Sequence, residues 1–326
     1  MKRNYAMDKI RITCAIIVAC GHLFFIKGHF TSDQLIERKF FDIFLLGPVA
    51  VSIFFGLSGM ALRMQTQSRV VGRKYLICRG IRLMPIYWIA LVIPSIAFLL
   101  LKVEMNYSFA SFVFTFLGLN ALNTNIITPH QNGPLWSLSV EVFLSISVLF
   151  LSRISQKKHF FIILSAVVAS ITFNRQPILA AFPYFAIGFY LPRIGKLPSI
   201  LCKYICIPFV LITVIFFPKI LANFESSNLG YIYEIFFVTV ILLSCQSMWK
   251  SKPNLFSTIS LRAYCLYAVH FPIIFVVDRV FFRNFKSISF LQISASLILV
   301  IFVTEIAYRL IDLKAMKISQ SLWRNT

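Results

Sequence analysis

Long apolar runs alternate with short polar joints along the whole chain. The runs fall near residues 10–30, 42–62, 83–101, 135–152, 160–173, 178–191, 204–218, 229–248, 263–282 and 290–311. Crossing a bilayer core takes about 20 apolar residues, and a lone spanning segment can satisfy its own backbone only as a helix. The pattern therefore predicts an all-α polytopic membrane protein with about ten transmembrane helices. Several runs are short for that task, which predicts kinks or local thinning of the bilayer. One further run, SFASFVFTFLGLNAL at 108–122, is too short to be a span of the same kind.

Charge orders the runs. Segments 1–11, 63–82, 153–158, 193–203, 250–262 and 312–326 hold 22 of the 32 Lys and Arg. The alternate connections hold few: Lys27, Arg38, Lys39, Lys102, Arg175, Lys219, Arg283 and Lys286. The positive-inside rule then places both termini in the cytoplasm. A span at 108–122 would break this alternation, so that segment is expected to be re-entrant or to lie along the outer surface. The net charge of +21 is thereby spent on orientation, and a nucleic-acid partner is not expected.

Composition points the same way. The chain is 59% hydrophobic and 13% charged, with a mean hydropathy of +0.82, too apolar for a soluble domain of 326 residues. No charged stretch is long enough to fold alone. The expectation is one integral membrane domain, 1–326, with no appended soluble domain. MKRNYAMDKIR resembles a signal-peptide n-region, but the apolar run behind it is long and lacks a clear A-x-A site, so it is taken as a retained first span. The seven cysteines fall mostly inside runs without metal-ligand spacing; they read as small packing residues, and no metal is expected. No internal repeat is evident.

The polar residues inside the runs are the candidate chemistry. RITCAIIVACGH (11–22) opens on Arg11 and closes on His22. Eleven helical steps of about 100° return to nearly the same face, about 16 Å along the axis. Arg11 then sits at the cytoplasmic interface, where it also suits a positive-inside anchor, and His22 near mid-membrane. An ionisable group at that depth is a functional candidate by default. Imidazole is also the side chain best suited to accept a proton near neutral pH; a helix–helix hydrogen bond is the structural alternative.

FFGLSGMAL (54–62) sets Ser58 beside Gly59, where small residues admit a ligand or another helix. RGIRLMPIYW (79–88) sets Arg79 and Arg82 on one side of the third span's entry, as basic anchors or as a phosphate clamp. GPLWSLSVE (133–141) opens the fourth span from the outer side and carries Glu141 about 9 Å inward, close to the level of His22. That carboxylate can orient an imidazole, hold a hydroxyl or neutralise an arginine. AYCLYAVHFP (263–272) sets Tyr267 and His270 one turn apart, nearer the cytoplasm, in a functional or a structural role.

Together these pieces resemble the acyltransferase-3 family of integral membrane O-acyltransferases. Arg11 and His22 are separated by ten residues, with Asp8 three before the arginine. FFGLSGM is similar to the family's FF-x-x-S-G-F, with Met60 in place of Phe. RGIRLMPIYW is similar to R-x-x-R-x-x-P-x-Y-W, WSLSVEVF to W-S-L-x-x-E, and YCLYAVHFP to S-Y-x-x-Y-x-x-H-x-P. Ile12 stands where the family usually has Gly. The five motifs occur in family order over residues 8–272. Some relatives carry a C-terminal extracytoplasmic esterase-like domain. This sequence stops soon after its last run, so a partner needed to complete transfer is expected to be a separate protein.

The resemblance implies transfer of an acyl group, usually acetyl from acetyl-CoA, from the cytoplasm to a hydroxyl of a cell-surface glycan or its lipid-linked precursor. An O-antigen or other polysaccharide at a bacterial inner membrane would suit. It implies His22 and Glu141 as catalytic residues and Arg11, Ser58, Arg79, Arg82, Tyr267 and His270 around acyl-CoA. Trp136 and Ser137 fall on the acceptor side, where an aromatic ring can stack on a sugar. Acyl-CoA is then a co-substrate, no cofactor is permanently bound, and membrane lipid surrounds the whole. The arginine would grip the nucleotide end of the donor while the histidine works at the thioester, as general base or through an acyl-histidine. Two other readings remain open at this stage. A transporter of a glycan, lipid-linked sugar or small molecule predicts broken helices and repeats; a ligand-free scaffold leaves His22 and Glu141 without a purpose.

Overall fold

A computed structural model describes residues 4–25, 46–67, 71–100, 102, 108–122, 132–194, 198–216, 227–247, 255–281 and 290–324. The connections carrying Lys27, Arg38, Lys39, Lys219, Arg283 and Lys286 lie outside the described residues, as do parts of the basic segments 193–203 and 250–262. The described residues form helices and short turns, with no strand among them. In chain order the principal helices are α1 (Tyr5–Phe25), α2 (Gly47–Thr66), α3 (Arg73–Leu100), α4 (Phe109–Phe116), α5 (Leu135–Leu151) and α6 (His159–Thr172). They continue with α7 (Pro177–Ile194), α8 (Ile207–Phe216), α9 (Asn228–Ser247), α10 (Ala263–Phe281), α11 (Phe290–Ala307) and α12 (Leu313–Arg324).

Among the described residues, five helical stretches are long and apolar enough to cross a bilayer: Gly47–Thr66, Arg73–Leu100, Asn228–Ser247, Leu255–Arg279 and Leu291–Trp323. Leu135–Leu151, His159–Thr172, Pro177–Pro192 and Cys202–Ile215 are apolar but shorter. The protein is a helical membrane protein. Exposed Ile93, Leu99, Phe150, Ile298 and Phe302 give its helices the apolar outer faces that lipid requires.

Two helices run past their expected ends. α3 starts at Arg73 rather than near residue 83, and α11 passes through a π-helical turn, Tyr308–Asp312, into α12 instead of stopping near 311. Both extensions carry a buried stripe at helical spacing: Tyr75, Cys78 and Leu83 on α3, and Asp312, Ala315, Ser319 and Trp323 through α12. The stripes face each other antiparallel. Trp323 packs edge-on against Tyr75 with ring centroids 6.0 Å apart, and the Ser319 hydroxyl donates to the Cys78 carbonyl at 3.0 Å. The basic residues mark both segments only by charge, while the buried stripes account for their packing as helices.

The 108–122 segment holds the short α4. The Ser108 side chain caps its start by accepting from the Ser111 N–H, and Gly118, at φ +73°, ends it. There Leu119 N–H reaches the Phe114 carbonyl at 2.9 Å and Gly118 N–H the Thr115 carbonyl at 2.8 Å, the paired bonds of a left-handed C-cap. Tyr87 donates to the Thr115 carbonyl at 2.6 Å and Trp88 to the Phe116 carbonyl at 3.0 Å. Tyr87 lies about 21 Å along α3 by helical rise, so the segment folds back beside the middle of that helix.

The chain packs as two compact units interleaved in sequence. The first comprises Met1–Gly21, Ser32–Val70 and Ser147–Leu261, and the second His22–Thr31, Val71–Ile146 and Arg262–Thr326. Within the first unit, α2 and α7 cross at backbone contact. A Cβ on Gly59 would fall on the Phe185 carbonyl, and one on Gly188 on the Gly56 carbonyl. Small residues at such crossings are how membrane helices gain packing that lipid does not drive. Within the second unit, α10 packs on α11 and α3, with Leu23, Ile274 and Val300 in a shared apolar core.

Candidate functional site

Polar side chains of the second unit form successive layers along α10. The first holds both sequence-predicted histidines. His22 lies in the last turn of α1 and His270 on α10, where it is fully buried. His22 Nδ1 and His270 Nε2 are 2.9 Å apart, and His270 Nδ1 is 3.1 Å from the Leu266 carbonyl, one turn earlier on α10. The two ring planes are 28° apart with centroids 5.1 Å apart, and Phe271 meets the His22 ring edge-on at 5.0 Å. Each imidazole thus engages the other through one nitrogen, an arrangement suited to moving or holding a proton.

The helix that carries His270 and its neighbour α3 each contain a proline whose missing bond is made good elsewhere. A proline lacks the N–H that would bond the carbonyl four residues earlier. Pro272 so releases the Ala268 carbonyl in α10, and Pro94 the Ala90 carbonyl in α3. The fully buried Asn132, just before α5, serves both: its Nδ2 donates to Ala90 at 2.8 Å and to Ala268 at 3.0 Å. One amide group ties two proline-broken helices together. A turn from the histidines, Ser137 and Tyr267 share a hydroxyl–hydroxyl bond of 2.7 Å. Trp136 begins α5 with 37% of its surface exposed.

The next layer is ionic. Arg79 Nη2 donates to Glu141 at 3.2 Å, and its Nε and Nη2 reach the Ser145 hydroxyl at 3.2 and 3.0 Å. Tyr75 donates to the Ser145 carbonyl at 3.1 Å. Arg82 pairs with the fully buried Asp312 at the end of the π-helical turn, while its guanidinium lies 5.4 Å from the centroid of the Tyr264 ring. Tyr264 donates to the Leu83 carbonyl at 2.7 Å. Arg262 forks onto both oxygens of Glu305 at 2.7 and 3.1 Å.

The first unit holds the remaining two predicted residues. Arg11 Nη2 donates to the Leu57 carbonyl at 3.3 Å, which anchors α1 to the FFGLSGM stretch of α2. Ser58, half-buried, is the next residue on that helix. The glycines of this stretch are accounted for by the crossing with α7.

The structure therefore joins His22 with His270, Ser137 with Tyr267, and Arg79 with Glu141. Of the three roles open to Glu141, its contact with Arg79 is the neutralising one. Asp312, Asn132, Tyr264 and Ser145 were not candidates. Asp312 sits where a basic tail was expected. Asn132 left a signal in its surroundings: Pro94 and Pro272 each release a carbonyl that must find a donor.

Residues 4–309 match a family model whose description is "Acyltransferase domain". No curated protein and no solved structure is similar enough to count as a match.

Proposed function

We propose, from the premise that this chain belongs to the acyltransferase-3 family of membrane acyltransferases, that it carries an acyl group, most simply acetyl, from acyl-CoA to a sugar hydroxyl. The acceptor is a surface glycan such as an O-antigen, or its lipid-linked precursor. The observation that carries this reading is the imidazole pair, His22 to His270 at 2.9 Å, inside a helical membrane protein.

In this reading His22 removes the acceptor's hydroxyl proton as the oxygen attacks the thioester carbonyl. The tetrahedral intermediate collapses with cleavage of the carbon–sulfur bond. The proton held by His22 passes to the departing thiolate, leaving an ester and CoA thiol. Proton transfer by a positioned base is worth about 10²–10⁴ in rate. Arg11, three turns before His22 on the continuous α1, takes the donor's phosphates, with Ser58 beside the path. Arg79 and Arg82 are further phosphate ligands in this reading, since a guanidinium has more donors than one carboxylate takes up. Glu141 acts by holding Arg79. Trp136 offers its ring to the sugar, next to Ser137 and Tyr267.

The same reading places the protein in a bacterial inner membrane, with about ten crossings and both termini in the cytoplasm by the positive-inside rule. It requires no permanently bound cofactor and no nucleic acid. The test is to incubate membranes carrying the protein with acyl-labelled acetyl-CoA and to follow label into glycan. Label on glycan that disappears with His22→Ala is expected. Equal labelling by that variant would refute the base role, and glycan mass from cells with and without the gene would name the acyl group and the acceptor.

A further inference from the structure

The resemblance grouped His270 with the donor-binding residues; its surroundings give it a different task. A neutral imidazole has one N–H and one lone-pair nitrogen. His270 is fully enclosed, and the neutral ring is the form least costly to bury. Its Nδ1 lies 3.1 Å from the Leu266 carbonyl oxygen. A carbonyl oxygen can only accept, so the hydrogen of His270 belongs on Nδ1, since the other tautomer would set two lone pairs against each other. The Nε2 of His270 is then the lone-pair nitrogen, and it is the atom 2.9 Å from His22 Nδ1. The contact needs one hydrogen, and only His22 can supply it. His22 must therefore carry its hydrogen on Nδ1, which makes Nε2 its proton-accepting nitrogen.

We infer that His270 is a positioning residue: through the relay Leu266 carbonyl, His270, His22, it sets the tautomer of His22 and aims its Nε2 as the base. The relay rests on the acyl-transfer reading for its purpose but not for its geometry. When His22 accepts a proton on Nε2, its Nδ1–H bond to His270 becomes charge-assisted and strengthens. No proton needs to leave the pair, because the Nδ1–H of His270 stays on Leu266. Phe271, edge-on to His22 at 5.0 Å, walls the ring into this orientation. Orientation by a second group through the far nitrogen is a general device for functional imidazoles.

Two variants and one spectrum test the relay. His270→Leu keeps the bulk and removes the acceptor; His270→Gln puts a carbonyl oxygen near the place of Nε2. In purified protein that stays monodisperse in detergent, His270→Leu should lower kcat about 10- to 100-fold, the range for loss of a group that orients a working imidazole, with KM for acyl-CoA unchanged. His270→Gln should recover most of kcat. Imidazole ¹⁵N resonances of the wild type should show His22 protonated at Nδ1 and bearing a lone pair at Nε2, a preference that His270→Leu erases. A wild-type His22 protonated at Nε2 overturns the relay, and so does full kcat in His270→Leu. A Gln variant no better than Leu, with both monodisperse, overturns it too. If the wild type transfers no acyl group, the functional reading fails by itself, while the ¹⁵N tautomer still decides the relay.

Discussion

The two polar layers of the second unit solve the same problem in opposite ways. Near the start of α10, Arg79, Arg82 and Arg262 are answered by Glu141, Asp312 and Glu305, charge against charge. Two turns along α10 the histidine layer, in the relay inferred above, uses no formal charge; donors and acceptors run in series from the Leu266 carbonyl to His22. Compensated charges fix helices in register and have little reason to change state. A neutral series ending in a lone-pair nitrogen is poised to take up a proton. Burial alone does not separate structure from chemistry here; the kind of compensation does.

The sharpest way to break that contrast is at its reactive end. His22→Ala should lower acyl transfer about 10²–10⁴-fold with protein yield preserved, measured as label incorporated per mole of purified protein. The ionic layer should answer in stability instead. Arg82→Met strands the buried Asp312 carboxylate and should cost about 3–5 kcal/mol, measured as a loss of thermal stability in detergent. Adding Asp312→Leu to that variant should restore most of the loss, because the pair is then replaced by apolar groups. A double variant as unstable as the single would make Asp312 more than a counter-ion. Separately, acyl-CoA affinity in the folded double variant tests Arg82 as a phosphate ligand, with weaker binding expected.

Smaller effects refine the picture. Asn132→Leu removes the donor from two released carbonyls and should cost about 1–3 kcal/mol for each left unsatisfied. Asn132→Asp, which keeps the shape but loses both donors, should be no better; a harmless Asp variant would refute the double role of the amide. Ser319→Ala removes one bond to the Cys78 carbonyl and should cost about 1 kcal/mol, the least of the series, and transfer activity should be unaffected.

How far such features can be seen beforehand depends on their range. The apolar runs foretold the helices because each is a local property of about 20 residues. The Arg11 and His22 register was legible because one unbroken helix carries both. Pairings across the fold were not. Glu141 seemed level with His22 by counting residues inward, yet depth says nothing about azimuth, and its carboxylate turned to Arg79. The charge pattern left the backbone of 73–78 and 312–324 open, because basic residues mark the cytoplasmic side whether or not the backbone is helical. Only the stripe of Asp312, Ala315, Ser319 and Trp323, three and four residues apart, betrayed a packed face.

The bond between Arg82 and Asp312 joins residues 230 positions apart in the chain. A ribosome delivers Arg82 to the bilayer long before its counter-ion exists. In the interval the guanidinium must be sheltered by water or by anionic lipid headgroups at the interface, which attract basic side chains. The Arg82 end of α3 is therefore settled only once Asp312 has been made and has packed against it. Transcripts clipped before codon 312 should yield protein in which Arg82 is answered by lipid headgroups instead of by Asp312.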